Sequence, residues 1–284
     1  MSVKVENITH IYNEQMPYET IALDHVSVEI KSGEFVGIIG HTGSGKSTFI
    51  QHLNGLLKPK SGKIYINGID ISEKKVKASE IRRKVGLVFQ YPEYQLFEET
   101  VFKDIAFGPS NLGLPQDEIE QRVKEALSLV GLDYREVIEK SPFDLSGGQK
   151  RRVAIAGVIA MRPEVLILDE PTAGLDPRGH KEILDMIKRM HKKEKNTIIL
   201  VSHNMGDIAE LSDRIIVMEK GKVVLTGSPE EVFKNADYIE SIGLGLPPAM
   251  ILMRMIEQRG RHVDTGILTI DDAEKQIINL LRSK

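Results

Sequence analysis

The chain has 284 residues and a formal net charge of −3, from 38 basic and 41 acidic side chains. This length predicts one large domain with an appendage, and the balanced charge argues against the broad basic surface of most nucleic-acid-binding proteins. The lack of cysteine excludes disulfides, thiolate metal sites and a cysteine nucleophile, and it fits a reducing compartment such as the cytoplasm.

The first part of the chain is predicted to form strands around one glycine-rich segment. Residues 1–12 alternate polar and apolar side chains as a strand does, which argues against an export signal. The glycine-rich segment Gly40–Gly45 follows an apolar strand, and a helix is predicted to begin at Lys46. The strands predicted here are Val3–Ile8, Ile21–Ile30, Phe35–Ile39, Gly62–Ile66 and Val85–Phe89.

The second part begins with a mainly helical stretch, from about Pro92 to Ala160. A strand–helix–strand pattern typical of a parallel sheet follows, and then a hairpin. These elements are Val165–Leu168, Arg178–Lys195, Thr197–Val201, Arg214–Met218 and Val223–Thr226. The composition changes near Gly227, so the sequence predicts an α/β domain over residues 1–227 and a small C-terminal unit over residues 228–284.

A phosphate-binding loop is predicted at Gly40-His-Thr-Gly-Ser-Gly-Lys46-Ser47, where a strand passes into a helix. Its backbone N–H groups would hold phosphates, Lys46 would reach the β- and γ-phosphates, and the Ser47 hydroxyl would bind Mg²⁺. The alternative is a plain glycine-rich turn, and the pattern arises by chance in about 1% of chains of this length. The predicted nucleotide-binding residues are Gly40, His41, Thr42, Gly43, Ser44, Gly45, Lys46, Ser47 and Thr48.

Two carboxylates, Asp169 and Glu170, follow the apolar strand Leu166–Leu168. The carboxyl ends of strands are where open α/β sheets place their ligand sites. Together with a phosphate loop, the pair is expected to act on Mg²⁺-ATP, with Asp169 in the metal shell and Glu170 as general base for the attacking water. By themselves these residues would be read as solvated acids that end a strand.

A second anion-binding helix start is predicted at Ser146-Gly147-Gly148-Gln149, where serine caps the helix and two glycines expose backbone N–H groups. One ATP cannot easily need two such sites from the same chain. In this order with the phosphate loop and the Asp169-Glu170 pair, the pentapeptide Leu145–Gln149 resembles the signature motif of the ATP-binding cassette (ABC) ATPases. In that family, the signature of one subunit closes on the γ-phosphate held by another.

The resemblance to ABC ATPases implies a fold and further site residues. The implied fold is a P-loop NTPase core with a parallel sheet, an N-terminal antiparallel β subdomain, a helical signature subdomain at about residues 92–160, and a small C-terminal helical extension. Matching positions are the Q-loop glutamine Gln90, the switch histidine His203, the D-loop aspartate Asp176 and the adenine-stacking Tyr12, for which an ordinary half-buried tyrosine is the alternative. The implied catalytic set is Glu170, His203, Gln90 and Lys46, and the implied metal set is Ser47, Gln90 and Asp169.

Six of the fifteen Phe and Tyr residues fall within the nineteen positions from Phe89 to Phe107. Core packing is expected for Phe89 and Phe107, and an apolar groove for a partner helix is expected from the others. The sequences Phe89-Gln-Tyr-Pro-Glu-Tyr-Gln-Leu-Phe97 and Gly245-Leu-Pro-Pro248 resemble those of the ATPases of energy-coupling factor (ECF) transporters. The resemblance is greatest to the second of their two paralogous ATPase subunits.

This closer resemblance implies partners and a location. The chain would use ATP and Mg²⁺, pair with a second ATPase subunit as a heterodimer or with its own copy as a homodimer, and dock near Gln90–Phe107 on a transmembrane coupling subunit. It would lie on the cytoplasmic face of the membrane and power uptake of vitamins or transition-metal ions through exchangeable substrate-binding subunits. The C-terminal extension would help to hold the dimer, and no nucleic-acid partner is expected.

Three other classes of protein remain as alternatives. One is the ATPase of a conventional ABC transporter. Another is a soluble ABC ATPase that acts on ribosomes or DNA, which the single cassette and the lack of a long coiled-coil insertion argue against. The third is a nucleotide-dependent regulatory module with no cargo, which the presence of Glu170 and His203 argues against. No apolar stretch approaches the roughly 20 residues needed to cross a bilayer, so other chains would supply the membrane part of a transporter.

Overall fold

A computed structural model describes residues 2–73 and 75–282, and their strands form a four-stranded and a six-stranded sheet. The strands are β1 (Val3–Tyr12), β2 (Thr20–Ile30), β3 (Phe35–Ile39), β4 (Ser61–Ile66), β5 (Ile69–Asp70), β6 (Val85–Val88), β7 (Val165–Asp169), β8 (Thr197–Val201), β9 (Arg214–Glu219) and β10 (Lys222–Gly227). The smaller sheet has the order β2-β1-β4-β5 and is antiparallel. This confirms the antiparallel N-terminal β subdomain.

The larger sheet has the strand order β10-β9-β3-β8-β7-β6, with β10 antiparallel to β9 and the other neighbours parallel. Strands β3, β6 and β8 are buried at every position. Sheets covered on both faces need such continuous apolar runs, which is why these segments read as valine- and isoleucine-rich rather than alternating. The predicted parallel α/β core is therefore confirmed.

The helices cover both faces of the larger sheet and form most of residues 92–160, as predicted. They are α1 (Lys46–Leu53), α2 (Ala78–Lys84), α3 (Val101–Asn111), α4 (Gln116–Leu129), α5 (Tyr134–Val137), α6 (Gly147–Ile159), α7 (Pro177–Glu194), α8 (Met205–Leu211), α9 (Pro229–Phe233), α10 (Ala236–Ser241), α11 (Pro248–Gln258) and α12 (Ile270–Arg282). Short 3-10 helices lie at Pro92–Gln95 and Pro142–Asp144. Among the described residues, none of these helices is both long enough and apolar enough to cross a membrane.

Helix α1 lies between the two sheets and joins them into one core. Its side chains Phe49, Ile50 and Leu53 are fully buried. They belong to an apolar cluster that also contains residues of β1, β2 and β4 and one face of the parallel sheet. The phosphate loop that precedes α1 is thus anchored by a rigid helix at one end and by the buried strand β3 at the other.

The C-terminal segment is only partly an appendage. Phe233 of α9 and Ile239 of α10 are fully buried, and they belong to the same apolar cluster as Ile215 and Val217 of the parallel sheet. A separate small cluster forms where Ala249 and Met253 of α11 pack against Ala273 of α12. The boundary near residue 227 stays a prediction, because α9 and α10 continue the main core across it.

Candidate nucleotide site

The predicted site residues lie at one edge of the parallel sheet. Four neighbouring strands in the order β3, β8, β7 and β6 point the same way, so their carboxyl ends meet at this edge. The phosphate loop follows β3, His203 follows β8, and Gln90 follows β6. Asp169 ends β7 and Glu170 comes next. Four segments far apart in sequence are thereby brought together, at the place where open α/β sheets bind their ligands.

The phosphate loop is shaped by close backbone contacts. A Cβ added at Gly40 would lie 2.4 Å from the carbonyl oxygen of Met218, and one added at Gly45 would lie 2.5 Å from that of Ala22. Gly45 also has a φ of 101°, a left-handed conformation that favours glycine. It precedes α1 without a side-chain cap, so the first N–H groups of this helix keep the anion-binding character predicted for them.

Lys46 is folded back into the loop. Its ammonium Nζ donates hydrogen bonds to the carbonyl oxygens of Gly40, at 2.6 Å, and His41, at 3.1 Å. Burial lowers the pKa of Lys46, against the opposing attraction of Glu170 and Asp169. The lysine therefore ties the loop back onto its own backbone and lies within the electrostatic field of both carboxylates.

The two carboxylates differ in environment. Burial raises the pKa of Asp169. Burial together with the charge of Asp169 raises the pKa of Glu170 to about 7. The Oε1 atom of Glu170 is buried without a hydrogen-bond partner among the described residues, and His203 Nε2 lies 3.6 Å from it. A carboxylate that has one oxygen without a hydrogen-bond partner and a histidine beside it is suited to accept a hydrogen bond from water.

Glu170 is held in place by its backbone. Its φ is 49°, and its N–H donates a 3.0 Å hydrogen bond to the carbonyl oxygen of Val201, at the end of β8. The left-handed turn directs the chain away from the sheet directly after β7. A non-glycine residue in this conformation is uncommon, and such residues cluster at functional sites.

Bound magnesium would take some of its ligands from this site and the others from the phosphate oxygens of ATP. No group of three or more His, Cys, Asp or Glu side chains suited to a metal ion lies in the part of the chain that the structure describes. Ser47 is exposed at the start of α1, and Gln90 is exposed after β6. The half-buried Asp169 carboxylate lies close enough to Lys46 for its charge to oppose the burial that lowers the pKa of that lysine. This donor set of one hydroxyl, one amide oxygen and one carboxylate fits Mg²⁺ bound together with phosphate oxygens.

Gln90 is exposed directly after β6. The next residue, Tyr91, has a φ of 54° and turns the chain into the 3-10 helix Pro92–Gln95. This turn begins the aromatic segment, in which Tyr94, Phe97 and Phe107 are 83%, 58% and 47% exposed. Core packing is confirmed for Phe89 but wrong for Phe107, because α3 turns Phe102 towards the core and leaves Phe107 outside, edge-on to Phe97 at 4.9 Å.

The signature residues form the predicted helix start. The Ser146 hydroxyl accepts from the Gln149 N–H at 3.3 Å, and the Gln149 side chain accepts from the Ser146 N–H at 3.0 Å, a reciprocal capping box. Gly147 and Gly148 are exposed, and a Cβ at either would meet open space. Asp176 caps α7 through a 2.7 Å bond from the Gly179 N–H, which gives it a local structural role besides the interface role predicted for it.

Tyr12 is 38% exposed at the end of β1, and its hydroxyl lies 3.3 Å from the Thr48 hydroxyl of α1. Sequence reasoning missed the histidines behind it. The His10 ring packs edge-on against both Tyr12 and His52, each at 4.6 Å. His52 Nδ1 donates to the Thr48 carbonyl at 2.7 Å, and its Nε2 lies 3.1 Å from His10 Nδ1. Tyr12 is therefore fixed against the phosphate-loop helix.

A cavity of about 520 Å³ adjoins Glu170 and His203, and its wall includes Leu246 and Pro248 of the C-terminal segment. His180 of α7 also lines it, and its Nε2 lies 3.0 Å from an Asp207 oxygen on α8. A larger cleft of about 630 Å³, lined by Ser2, Arg122 and Arg162 among others, contains none of the motif residues. The motifs, rather than cavity size, identify the functional edge.

Comparison with known proteins gives the family. A family model described as ABC transporter matches residues 23–173. The chain is 60% identical to the energy-coupling factor transporter ATP-binding protein EcfA2 of Clostridium tetani, over 100% of this chain and 99% of the relative. It is 62% identical to the EcfA2 protein of Caldanaerobacter subterraneus subsp. tengcongensis, over 99% of this chain and 98% of the relative.

Solved structures agree with this assignment. The structure of cbiO1 from Clostridium perfringens, described as part of the ABC transporter complex cbiONQ, is 42% identical with a TM-score of 0.74 and covers 84% of this chain and 93% of that chain. A dimeric post-hydrolysis structure of the ATP-binding cassette MJ0796 with ADP and Pi is 31% identical with a TM-score of 0.69, over 80% and 98% of the two chains. The chain therefore belongs to the ABC transporter ATPases, and within them it is an ATP-hydrolysing subunit of the energy-coupling factor type.

Proposed function

We propose that this chain hydrolyses Mg²⁺-ATP at sites shared between two ATPase subunits and thereby drives uptake of a vitamin or a transition-metal ion through separate membrane subunits. The observation that carries the proposal is the meeting of the phosphate loop, Asp169, Glu170, His203 and Gln90 at one edge of the sheet. The assignment to an importer rests on the full-length similarity to energy-coupling factor ATPases.

The residues at the edge divide the work of hydrolysis. The loop N–H groups and Lys46 bind the β- and γ-phosphates, and Tyr12 stacks on adenine. Glu170 accepts a hydrogen bond from the attacking water, and His203 contacts the γ-phosphate. Gln90 links the nucleotide site to the transmembrane partner. Ser47, Asp169 and Gln90 would hold Mg²⁺, which when bound supplies charge stabilisation to the phosphate oxygens.

A second subunit completes each site. Ser146–Gln149 presents an exposed, self-capped helix start whose glycines meet open space, and such a helix start binds anions. In a head-to-tail dimer it would close on the γ-phosphate of the other subunit, with Asp176 at the interface. The partner is a paralogous ATPase subunit or a second copy of this chain. The dimeric state of the similar MJ0796 cassette supports this arrangement.

The exposed aromatic side chains Tyr91, Tyr94, Phe97 and Phe107 would form the docking groove for a transmembrane coupling subunit. All four are at least 39% exposed within one short segment after Gln90. Exposed apolar side chains in a contiguous patch mark interaction sites. Docking there would hold the chain peripherally on the cytoplasmic face of the membrane and place the coupling subunit next to the Q-loop glutamine.

Isolation of the tagged chain from its own membranes tests this proposal. We expect a second ATPase subunit and a polytopic membrane protein to co-purify with the unmodified chain. Phe97→Ser with Phe107→Ser should release the membrane protein but leave ATP affinity unchanged, because neither residue contacts the phosphate loop. Tyr18→Ser is a matched control, since Tyr18 is 66% exposed on the β1–β2 connection. Recovery of ribosomes instead of membrane protein would contradict the transporter assignment.

A further inference from the structure

A buried arginine, Arg151 of α6, connects this helix to two other segments that adjoin the site. Its side chain is 2% exposed. Its Nε and Nη2 atoms donate to the two carboxylate oxygens of Glu93, at 2.9 and 2.7 Å. Its Nη1 donates to the carbonyl oxygens of Pro171, at 3.2 Å, and Ala173, at 2.8 Å. One guanidinium thus uses all three nitrogens on partners from two other segments.

Both segments adjoin predicted catalytic residues. Glu93 lies in the 3-10 helix three positions after Gln90. Pro171 and Ala173 lie in the turn that follows Glu170, where the Ala173 N–H donates a 3.1 Å bond to the Glu170 carbonyl oxygen. Arg151 therefore ties the backbone that carries the general base to the segment that carries the Q-loop glutamine, from a helix that begins at the signature.

A second contact reinforces this connection. The Tyr91 ring lies beneath the Arg151 guanidinium, with 5.9 Å between the charge centre and the ring centroid. A Cβ added at Gly174 would lie 3.2 Å from Cε1 of Tyr91, and the φ of Gly174 is 74°. The aromatic docking segment and the turn after Glu170 are thus packed against each other as well as bridged.

The ion pair costs energy to bury, so its presence needs an explanation. A buried pair is often replaceable by apolar residues without loss of stability, whereas removal of one partner leaves an uncompensated charge. Burial works against ionisation of Glu93, but its hydrogen bonds from Arg151 still hold the pKa of that carboxyl below its usual value. The pair is therefore ionised, and its directional bonds fix geometry that apolar packing would not.

We propose that Arg151 is a positioning residue for ATP hydrolysis, which sets Glu170 relative to Gln90 by bridging Glu93 to the carbonyl oxygens of Pro171 and Ala173. Movement of the aromatic segment against a membrane partner then shifts the turn that carries the base. The inference rests on the proposed roles of Glu170 and Gln90. Arg151 itself contacts no phosphate-loop atom among its described hydrogen bonds, so ATP affinity should not depend on it.

The test separates positioning from stability in the full-length chain assembled with its ATPase partner. Arg151→Met should lower the melting temperature and lower kcat by about 10²-fold, the cost of a small misplacement of a catalytic group, while the KM for ATP stays within about twofold. The double variant Arg151→Met with Glu93→Leu removes the unpaired charge and should restore the melting temperature but not kcat. Recovery of kcat together with the melting temperature would show that the pair is only structural.

Two controls complete the experiment. Arg152→Met removes the neighbouring arginine, which bonds the Val130 carbonyl and Glu182 rather than the turn after Glu170, and it should leave kcat unchanged. Glu170→Gln in the same assay tests the proposed function separately. If Glu170→Gln turns over normally, the base assignment is wrong, whereas normal kcat in Arg151→Met with an inactive Glu170→Gln overturns only the positioning role.

Discussion

The edge of the sheet proposed to bind and hydrolyse ATP and the C-terminal segment 228–282 are organised in opposite ways. At the edge, Gln90, Glu170 and His203 lie within two positions of the end of a strand of the parallel sheet, and the phosphate loop begins directly after another such strand, so their places follow from local sequence and sheet order. In the C-terminal segment, α9 and α10 pack into the main core, whereas α11 and α12 also form a small cluster of their own. Tertiary contacts, rather than local sequence, decide which helix packs where. Local motifs therefore define chemistry here, while long-range packing defines the assembly surfaces.

The largest expected effect is at the edge. Glu170→Gln should reduce ATP turnover by about 10²- to 10⁴-fold, because the variant loses the proposed general base, while ATP binding through Lys46 and the loop persists. Steady-state hydrolysis and equilibrium nucleotide binding measure the two effects. Glu164→Gln is the matched control, since Glu164 lies at the opposite end of β7 and pairs with Lys84. Turnover of Glu170→Gln close to that of the unmodified chain would remove Glu170 from the base role.

The next effect tests whether residues 228–282 are separable from the core. Phe233→Ala should lower the free energy of unfolding by about 3–5 kcal/mol, because its ring is fully buried and truncation leaves a cavity. Chemical denaturation measures this change. Ile251→Ala, at a residue 45% exposed on α11, should cost much less. Equal effects of the two substitutions would mean that α9 is no part of the main core.

The sequence predicted most of the edge and little of the packing around it. Strand ends and glycine spacing located the phosphate loop, Asp169 and Glu170, because those signals are local. The outward position of Phe107 was not predictable, because one aromatic residue does not show which face of its helix packs against the core. The Arg151–Glu93 pair joins residues 58 positions apart, and no periodicity connects them.

The third expected effect is a pH dependence of the free energy of unfolding, which His52 of α1 should cause and the C-terminal segment should not. Burial lowers the pKa of His52 to about 4, whereas an unfolded histidine titrates near 6.5. Between these values the unfolded state binds one more proton, so the contribution of His52 to stability decreases as the pH falls from about 6.5 to 4, by up to about 3 kcal/mol. His52→Asn keeps a donor for the Thr48 carbonyl and should remove this part of the pH dependence, measured by denaturation at several pH values.

The control for that titration lies in the other region. His262 is exposed in the connection between α11 and α12, and His262→Asn should leave the stability profile between pH 4 and 7 unchanged. A profile for His52→Asn that runs parallel to that of the unmodified chain would show that the pKa of His52 in the folded protein is not lowered.

The smallest effect on folding falls on the exposed face of the C-terminal segment. Leu281 is 64% exposed near the end of α12, so Leu281→Ser should change the free energy of unfolding by no more than about 0.5 kcal/mol. If this face contacts the other ATPase subunit, the same substitution should weaken the dimer, measured by sedimentation equilibrium. Lys275→Gln on the same helix is a control, because Lys275 pairs locally with Asp272. An unchanged dimer constant for Leu281→Ser would place the subunit contact elsewhere, since an exposed apolar side chain that neither folds the chain nor binds a partner has no role in the assembly.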